Sequence, residues 1–272
     1  MGLIFLLALV LAFALWWWQT GMVPFWDAGS GADAPTRSQR APLPVEDPEP
    51  AADASPPAPT EFPMAELAEK DRLKQLPPID RSDGPILEAL AGNFRIDTLS
   101  SFVNMQDYVK RLVITVDNLP RELVPSQLSV VQRIPGPFDV ERQGDVITLS
   151  PLNYGRYDAF VNFADSLDPR LLVNLYLRFY PLLDKAYKDI GYPNARFHDR
   201  VIVAIDDMTA APTPPDPIEL VQPKVLFRFA DPALQKLSAG QKIMVRVGPD
   251  NAAQLRRVLR RLRAELLGQP VN

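Results

Sequence analysis

The first 26 residues, Met1 to Trp26, carry no charged side chain, and this limits what the start of the chain can become more than any later feature. Leu3 to Trp18 is an unbroken apolar run ending in Trp16, Trp17 and Trp18, and Gln19 and Thr20 are the polar interruption before Met22, Val23, Phe25 and Trp26. As a helix rising about 1.5 Å per residue, Leu3 to Trp26 would span roughly 36 Å, enough to cross a hydrocarbon layer of about 30 Å. The tryptophan rings are of the kind that collect at membrane–water interfaces. Residues 1–26 are therefore expected to form an uncleaved transmembrane anchor whose partner is the lipid bilayer. The alternatives are a cleaved signal peptide and a buried core helix. Ala32-Asp33-Ala34 has the small-x-small form of a cleavage site, but it lies far beyond the main apolar run, and no Lys or Arg precedes that run. The favoured orientation keeps the short N-terminus inside and places the large domain outside.

Composition changes abruptly after Trp26. Of 29 bases and 33 acids in the chain, residues 27–63 hold Arg37 and Arg40 against Asp27, Asp33, Glu46, Asp47, Glu49, Asp53 and Glu61. The same stretch is dense in proline, and Leu43, Val45 and Phe62 are its large apolar residues. A segment so poor in apolar surface cannot offset the entropy of ordering it, so a disordered, Pro-rich acidic linker is expected over 27–63. The rest of the chain is left near neutrality, with one base in excess. That balance makes no electrostatic case for nucleic acid, which calls for a strongly basic face. The absence of cysteine excludes disulfides, thiolate metal sites and a Cys nucleophile.

Residues 64–272 suffice for one globular domain. Ser82 precedes a short helix through Ile86, Leu87 and Leu90, ending near Gly92. Phe102, Met105, Val109, Leu112, Val113 and Val116 recur at helical spacing and predict one helix up to Asn118-Leu119-Pro120. Phe138 to Leu149 reads as a hairpin turning at Gln143-Gly144-Asp145. Asp168-Pro169 starts a long helix that runs to Ile190, with a kink expected at Pro181. A helix follows over Asp199–Met208, then a Pro-rich loop from Ala211 to Pro217, and Val225 to Phe229 is expected to be extended. Asp231-Pro232 opens another helix, and Gln241–Val247 is open between helix and strand. The last helix, about Asp250 to Leu267, puts Leu255, Val258, Leu259, Leu262 and Leu266 on one stripe. Arg256, Arg257, Arg260, Arg261 and Arg263 lie outside it and are expected to be a solvated face, with lipid headgroups or the acidic linker as alternatives. The fold class is α+β and predominantly helical, with a small β-hairpin region.

Leu76-Pro-Pro-Ile-Asp-Arg-Ser-Asp83, Thr115-Val-Asp-Asn-Leu-Pro120, Tyr180-Pro-Leu-Leu-Asp-Lys-Ala-Tyr187 and Gly191-Tyr-Pro193 resemble motifs of a bacterial family known as domain of unknown function 3014. So do Leu220-Val-Gln-Pro-Lys224, Phe229-Ala-Asp-Pro232, Leu237-Ser-Ala-Gly-Gln-Lys242 and Gly248-Pro249. The resemblance implies a bacterial envelope protein with one N-terminal span, hence an inner-membrane protein whose C-terminal domain is periplasmic. It implies no activity.

The search for chemistry yields little. His198 is the single histidine, so no metal site needing two imidazoles can form, and no Gly-x-Ser-x-Gly elbow or Ser-x-x-Lys pair offers a nucleophile. His198 sits in Phe197-His-Asp-Arg200, where a structural role is the reading preferred. Asp206 with Asp207, and Asp165 with Asp168, are available acid pairs, but their spacings suit solvated caps better than a glycosidase cleft. No phosphate loop and no cofactor or metal site is expected. Tyr180, Tyr187 and Tyr192 form the candidate partner-binding surface, weighed against rings that simply pack the core. The expected function is a membrane-tethered envelope scaffold that binds an envelope protein or peptidoglycan. The alternative is an envelope hydrolase acting on peptidoglycan or peptide.

Overall fold

The computed structural model describes residues 76–123, 126–132, 138–223 and 226–268. The expected anchor over 1–26 and linker over 27–63 lie outside the described residues. Among the described residues, no helix is long and apolar enough to cross a membrane.

A 3-10 turn at Ile79–Arg81 leads into α1 (Asp83–Ala91), α2 (Ile96–Ser100) and α3 (Tyr108–Asn118). Strands β1 (Val140–Gln143) and β2 (Val146–Leu149) follow, then α4 (Leu152–Gly155), α5 (Asp158–Asp165), α6 (Pro169–Asp189) and α7 (Phe197–Thr209). Two further strands, β3 (Glu219–Val221) and β4 (Arg228–Phe229), precede α8 (Pro232–Gln235), α9 (Ala239–Arg246) and α10 (Pro249–Leu266). The predominantly helical α+β class is thus observed. The expected hairpin is the first half of a four-stranded antiparallel sheet ordered β1-β2-β3-β4. Gln143 faces Val146 across the turn, leaving Gly144-Asp145 as a two-residue loop, and Gly144 takes φ +60°, which a hairpin turn of this length demands at its first loop position. Strand β3 had no counterpart in the sequence reading. It is three residues long, and its partners Ile147 and Thr148 precede the whole α4–α7 segment.

The predicted helix from Phe102 to Asn118 begins only at Tyr108. Upstream, the backbone pairs with another segment: Gln132 donates to the Phe102 carbonyl at 2.9 Å, and Asn104 donates to the Val130 carbonyl at 2.7 Å. The Asn104 side chain accepts from the Gln106 amide, a local bond that competes with helix formation. Asp107, at φ +51°, turns the chain into α3. The cap of α3 comes from α1, since both Asp83 carboxylate oxygens accept from the Asp107 and Tyr108 amides at 2.7 and 3.0 Å. Ser82, expected to cap α1, instead donates its hydroxyl to the Ile79 carbonyl.

The other helix starts follow local chemistry. Asp168 and Asp231 each accept from an amide two residues on, ahead of Pro169 and Pro232. Ser238 accepts from the Gln241 amide at 3.0 Å, which settles the ambiguous 241–247 stretch as helix. Helix α6 runs unbroken through Pro181. Helix α10 packs on α5, α6, α7 and α9, while α3 packs on α6 and α7, so α7 lies in the middle of the helical layer. The predicted α10 stripe is buried throughout, with Leu255, Leu259 and Leu262 fully inaccessible. Burying each such leucine contributes about 1.5–3 kcal/mol.

Candidate functional site

Asp117 is the penultimate residue of α3 and is 5 % exposed. A carboxylate there faces the negative end of its own helix dipole, so it persists only if cations offset both charges. Two arginines do. Arg200, from α7, places Nε 3.1 Å from Asp117 Oδ1 and also donates to the Asp117 main-chain carbonyl through Nε and Nη2. Arg121, just past the helix, places Nη2 3.1 Å from Oδ2 and donates through Nε to the same carbonyl at 3.3 Å. The Tyr192 hydroxyl donates to Oδ2 at 3.3 Å and itself accepts from Arg121 Nη2. One buried acid thereby ties α3, α7 and the Gly191-Tyr192-Pro193 loop together.

Of the three candidate tyrosines, Tyr187 and Tyr192 meet here. Their rings stack with centroids 4.6 Å apart and planes 18° apart. Tyr187 is the inner ring, buried and tilted against Phe197, while Tyr192 lies half-buried above it. Burial, and then the negative charge of Asp117, push the Tyr187 hydroxyl up to about 12. Tyr180 belongs to a neighbouring cluster. Its ring meets Tyr176 edge-on at 5.4 Å and its hydroxyl donates to Asp184 at 3.0 Å. Asp184 also accepts from the Phe197 amide, the first of α7, and pairs with Lys188.

The loop that carries Arg121 is held from below by α9. The Ala239 amide donates to the Arg121 carbonyl at 2.6 Å and the Gly240 amide to the Leu119 carbonyl at 2.9 Å, so the loop satisfies two first-turn donors of α9. Lys242 Nζ adds a longer bond to the Glu122 carbonyl. The close packing of α9 on α7 leaves no room for a side chain at Gly240, because a Cβ there would stand 2.7 Å from Met208 Cγ and 3.1 Å from Asp207 Oδ2. Arg121, Glu122 and Leu123 on one loop, and Ile190, Pro193 and Asn194 flanking Tyr192 on the other, are exposed. Leu123 and Ile190 are two of the six large hydrophobic side chains exposed among the described residues.

The remaining candidates resolve into structural partners. His198 is buried beside Tyr176, with Nδ1 3.3 Å from its hydroxyl, and burial lowers its pKa to about 4. Asp206 faces Arg263 in a two-bond pair, whereas its neighbour Asp207 accepts the Ser238 hydroxyl, so the two diverge. Asp165 pairs with Arg261 and Asp168 caps α6. Arg256 donates to the Ala211 carbonyl at 2.8 Å and to Thr213 at 3.0 Å. Three of the five arginines expected to be solvated are therefore engaged, and only Arg257 and Arg260 match that description, both exposed and in no ion pair among the described residues. No cluster of three metal-ligating side chains occurs among the described residues. A shallow hollow lined by Tyr154, Pro214, Asp216 and Gly248 has room for about one water molecule, far less than a small-molecule site offers.

The segments that carry this site, from α3 to α10, coincide with a recognised family: residues 108–263 match the family described as Protein of unknown function (DUF3014), and the chain belongs to it. No curated protein and no solved structure matches the chain. Of the motif stretches noted in the sequence, Thr115–Pro120, Gly191–Pro193 and Leu237–Lys242 meet at the C-terminal end of α3, and several motif acids have a role that sequence reading missed. Asp83 and Asp184 cap helices other than their own, and Asp117 is the shared acceptor of two arginines. Their presence in motifs was the available signal. Their partners were not.

Proposed function

We propose that this chain is a membrane-tethered binding module of the bacterial envelope, with residues 1–26 as anchor, 27–63 as tether, and the Arg121–Tyr192 patch as the surface that holds a partner protein. One observation carries the reading: an arginine and a tyrosine are both fixed by a buried acid, and the exposed Leu123 and Ile190 lie two residues from them along the chain. Arg and Tyr are enriched among the residues that dominate binding energy, and their worth rises when they are already ordered before the partner arrives. These exposed apolar side chains favour a protein partner over a glycan strand. A tether confines the domain near the membrane and so raises its effective concentration toward a fixed target.

The test places a photo-crosslinking residue at Ile190, and separately at Ala253 on α10, in the full-length protein in cells. A discrete adduct at Ile190 but not at Ala253, lost on Leu123→Glu with an unchanged melting curve, is the expected result. Adducts insensitive to Leu123→Glu, or equal at both positions, would defeat the reading.

A further inference from the structure

On α10, each outer arginine but two is held by a partner from a neighbouring element: Arg261 by Asp165, Arg263 by Asp206, and Arg256 by Ala211 and Thr213. Arg257 and Arg260 stand exposed between them, three residues apart on one face, with Arg256 and Arg263 within one turn of Arg260. Arg256 has its pKa lowered, first by burial and then by the like charge of Arg260. A helix face with such repulsion attracts a compact anion, and the chain supplies one. Glu46-Asp47-Pro48-Glu49 packs three carboxylates into four residues of a segment otherwise short of bases.

We infer that the acidic stretch around Glu46–Glu49 docks on the Arg257–Arg260 face of α10, a salt-sensitive latch within one chain. Reach is no obstacle. A flexible chain of the length from Glu49 to Leu76 would span typically about 29 Å and at most about 90 Å, against a domain radius of gyration of about 16 Å. Covalent attachment gives the docking an effective concentration in the millimolar range. An anionic membrane surface is the weaker occupant, because such surfaces select clusters of about 4–8 free basic residues and this face offers two. Docked, the latch shortens the tether and holds the domain close to its anchor. Released, it lets the domain extend. The inference stands apart from the Arg121–Tyr192 reading, since it uses a different face.

The chain lacks cysteine, so Val45→Cys and Ala253→Cys give a clean dye pair in the full-length protein in neutral micelles. Energy transfer should be high in about 20 mM salt and fall at least about two-fold by about 500 mM, as the screening length shrinks from about 20 Å to about 4 Å. Arg257→Glu with Arg260→Glu should abolish the low-salt signal, as should Glu46→Gln, Asp47→Asn and Glu49→Gln together, which leaves the folded domain untouched. Combining the two arginine reversals with Glu46→Lys, Asp47→Lys and Glu49→Lys should restore it. Transfer unchanged by salt and by both sets of substitutions would overturn the latch. So would a low-salt signal that responds to vesicles of anionic lipid but not to neutralising the three acids, which would assign the face to the membrane.

Discussion

The two ends of the arginine distribution are built on opposite logic. At the C-terminus of α3, Arg121 and Arg200 share one buried carboxylate, so the acid is matched inside the fold. On the outer face of α10 the flanking arginines are matched and the central pair, Arg257 and Arg260, is not. The first arrangement fixes backbone geometry, because an unpaired buried charge is far costlier than a loose contact. The second contributes almost nothing to the fold and leaves charge available to something else. Arginine content alone does not separate the two. Burial of the partner acid does.

The comparison is sharpened first by the apolar side of α10, which anchors the face that carries the free pair. Leu259→Ala or Leu262→Ala should each destabilise the domain by about 2–5 kcal/mol in a denaturant melt, since both are fully buried and leave a cavity. Next, Asp117→Ala should cost about 2–3 kcal/mol, because it strands the mostly buried Arg200, while the half-exposed Arg121 recovers solvation. Asp117→Asn should recover part of the loss through hydrogen bonding. A loss of less than 1 kcal/mol, on the scale of an exposed pair, would erase the contrast drawn between the two regions.

His198 provides a third test, through pH. Its folded pKa of about 4 lies below the ordinary 6.5, so between those values the unfolded chain binds the proton more readily. Stability is therefore complete above about pH 6.5 and is lost as the pH falls toward 4. Going from pH 7 to about pH 4.5 should remove about 2 kcal/mol through this group. Comparing urea midpoints, His198→Gln should show an acid loss smaller by that amount. An identical acid loss in both proteins would mean that His198 is solvated when folded. The smallest expected effect belongs to Arg257→Ala and Arg260→Ala, each within about 0.5 kcal/mol at neutral pH. A larger destabilisation would show that this pair is matched after all.

What the sequence could reveal was local. The α10 stripe repeats at helical spacing, and Asp168-Pro169 and Asp231-Pro232 carry cap and first-turn proline in adjacent positions, so each could be read from a short window. The start of α3 could not, because Phe102 and Met105 keep the apolar period while the backbone of residues 102–104 pairs with residues 130–132. Strand β3 is too short to show a period, and its identity depends on β2. The candidate tyrosines were chosen for density. Density does not distinguish the buried Tyr187 from Tyr192 above it, because that difference is made by Asp117 and the two arginines that meet there from separate elements.

The capping of α3 by Asp83 and of α7 by Asp184 has a consequence for how the chain is made. In both cases the acceptor precedes the helix it caps. During N-to-C synthesis, the carboxylate has already emerged when the first amides of its helix appear. Those two helices can thus start on contacts the chain has already delivered. Helix α9 follows the same order, its first amides meeting the carbonyls of Leu119 and Arg121. Three helices thus begin on acceptors that come earlier in the chain, a direction of assembly written into its hydrogen bonds.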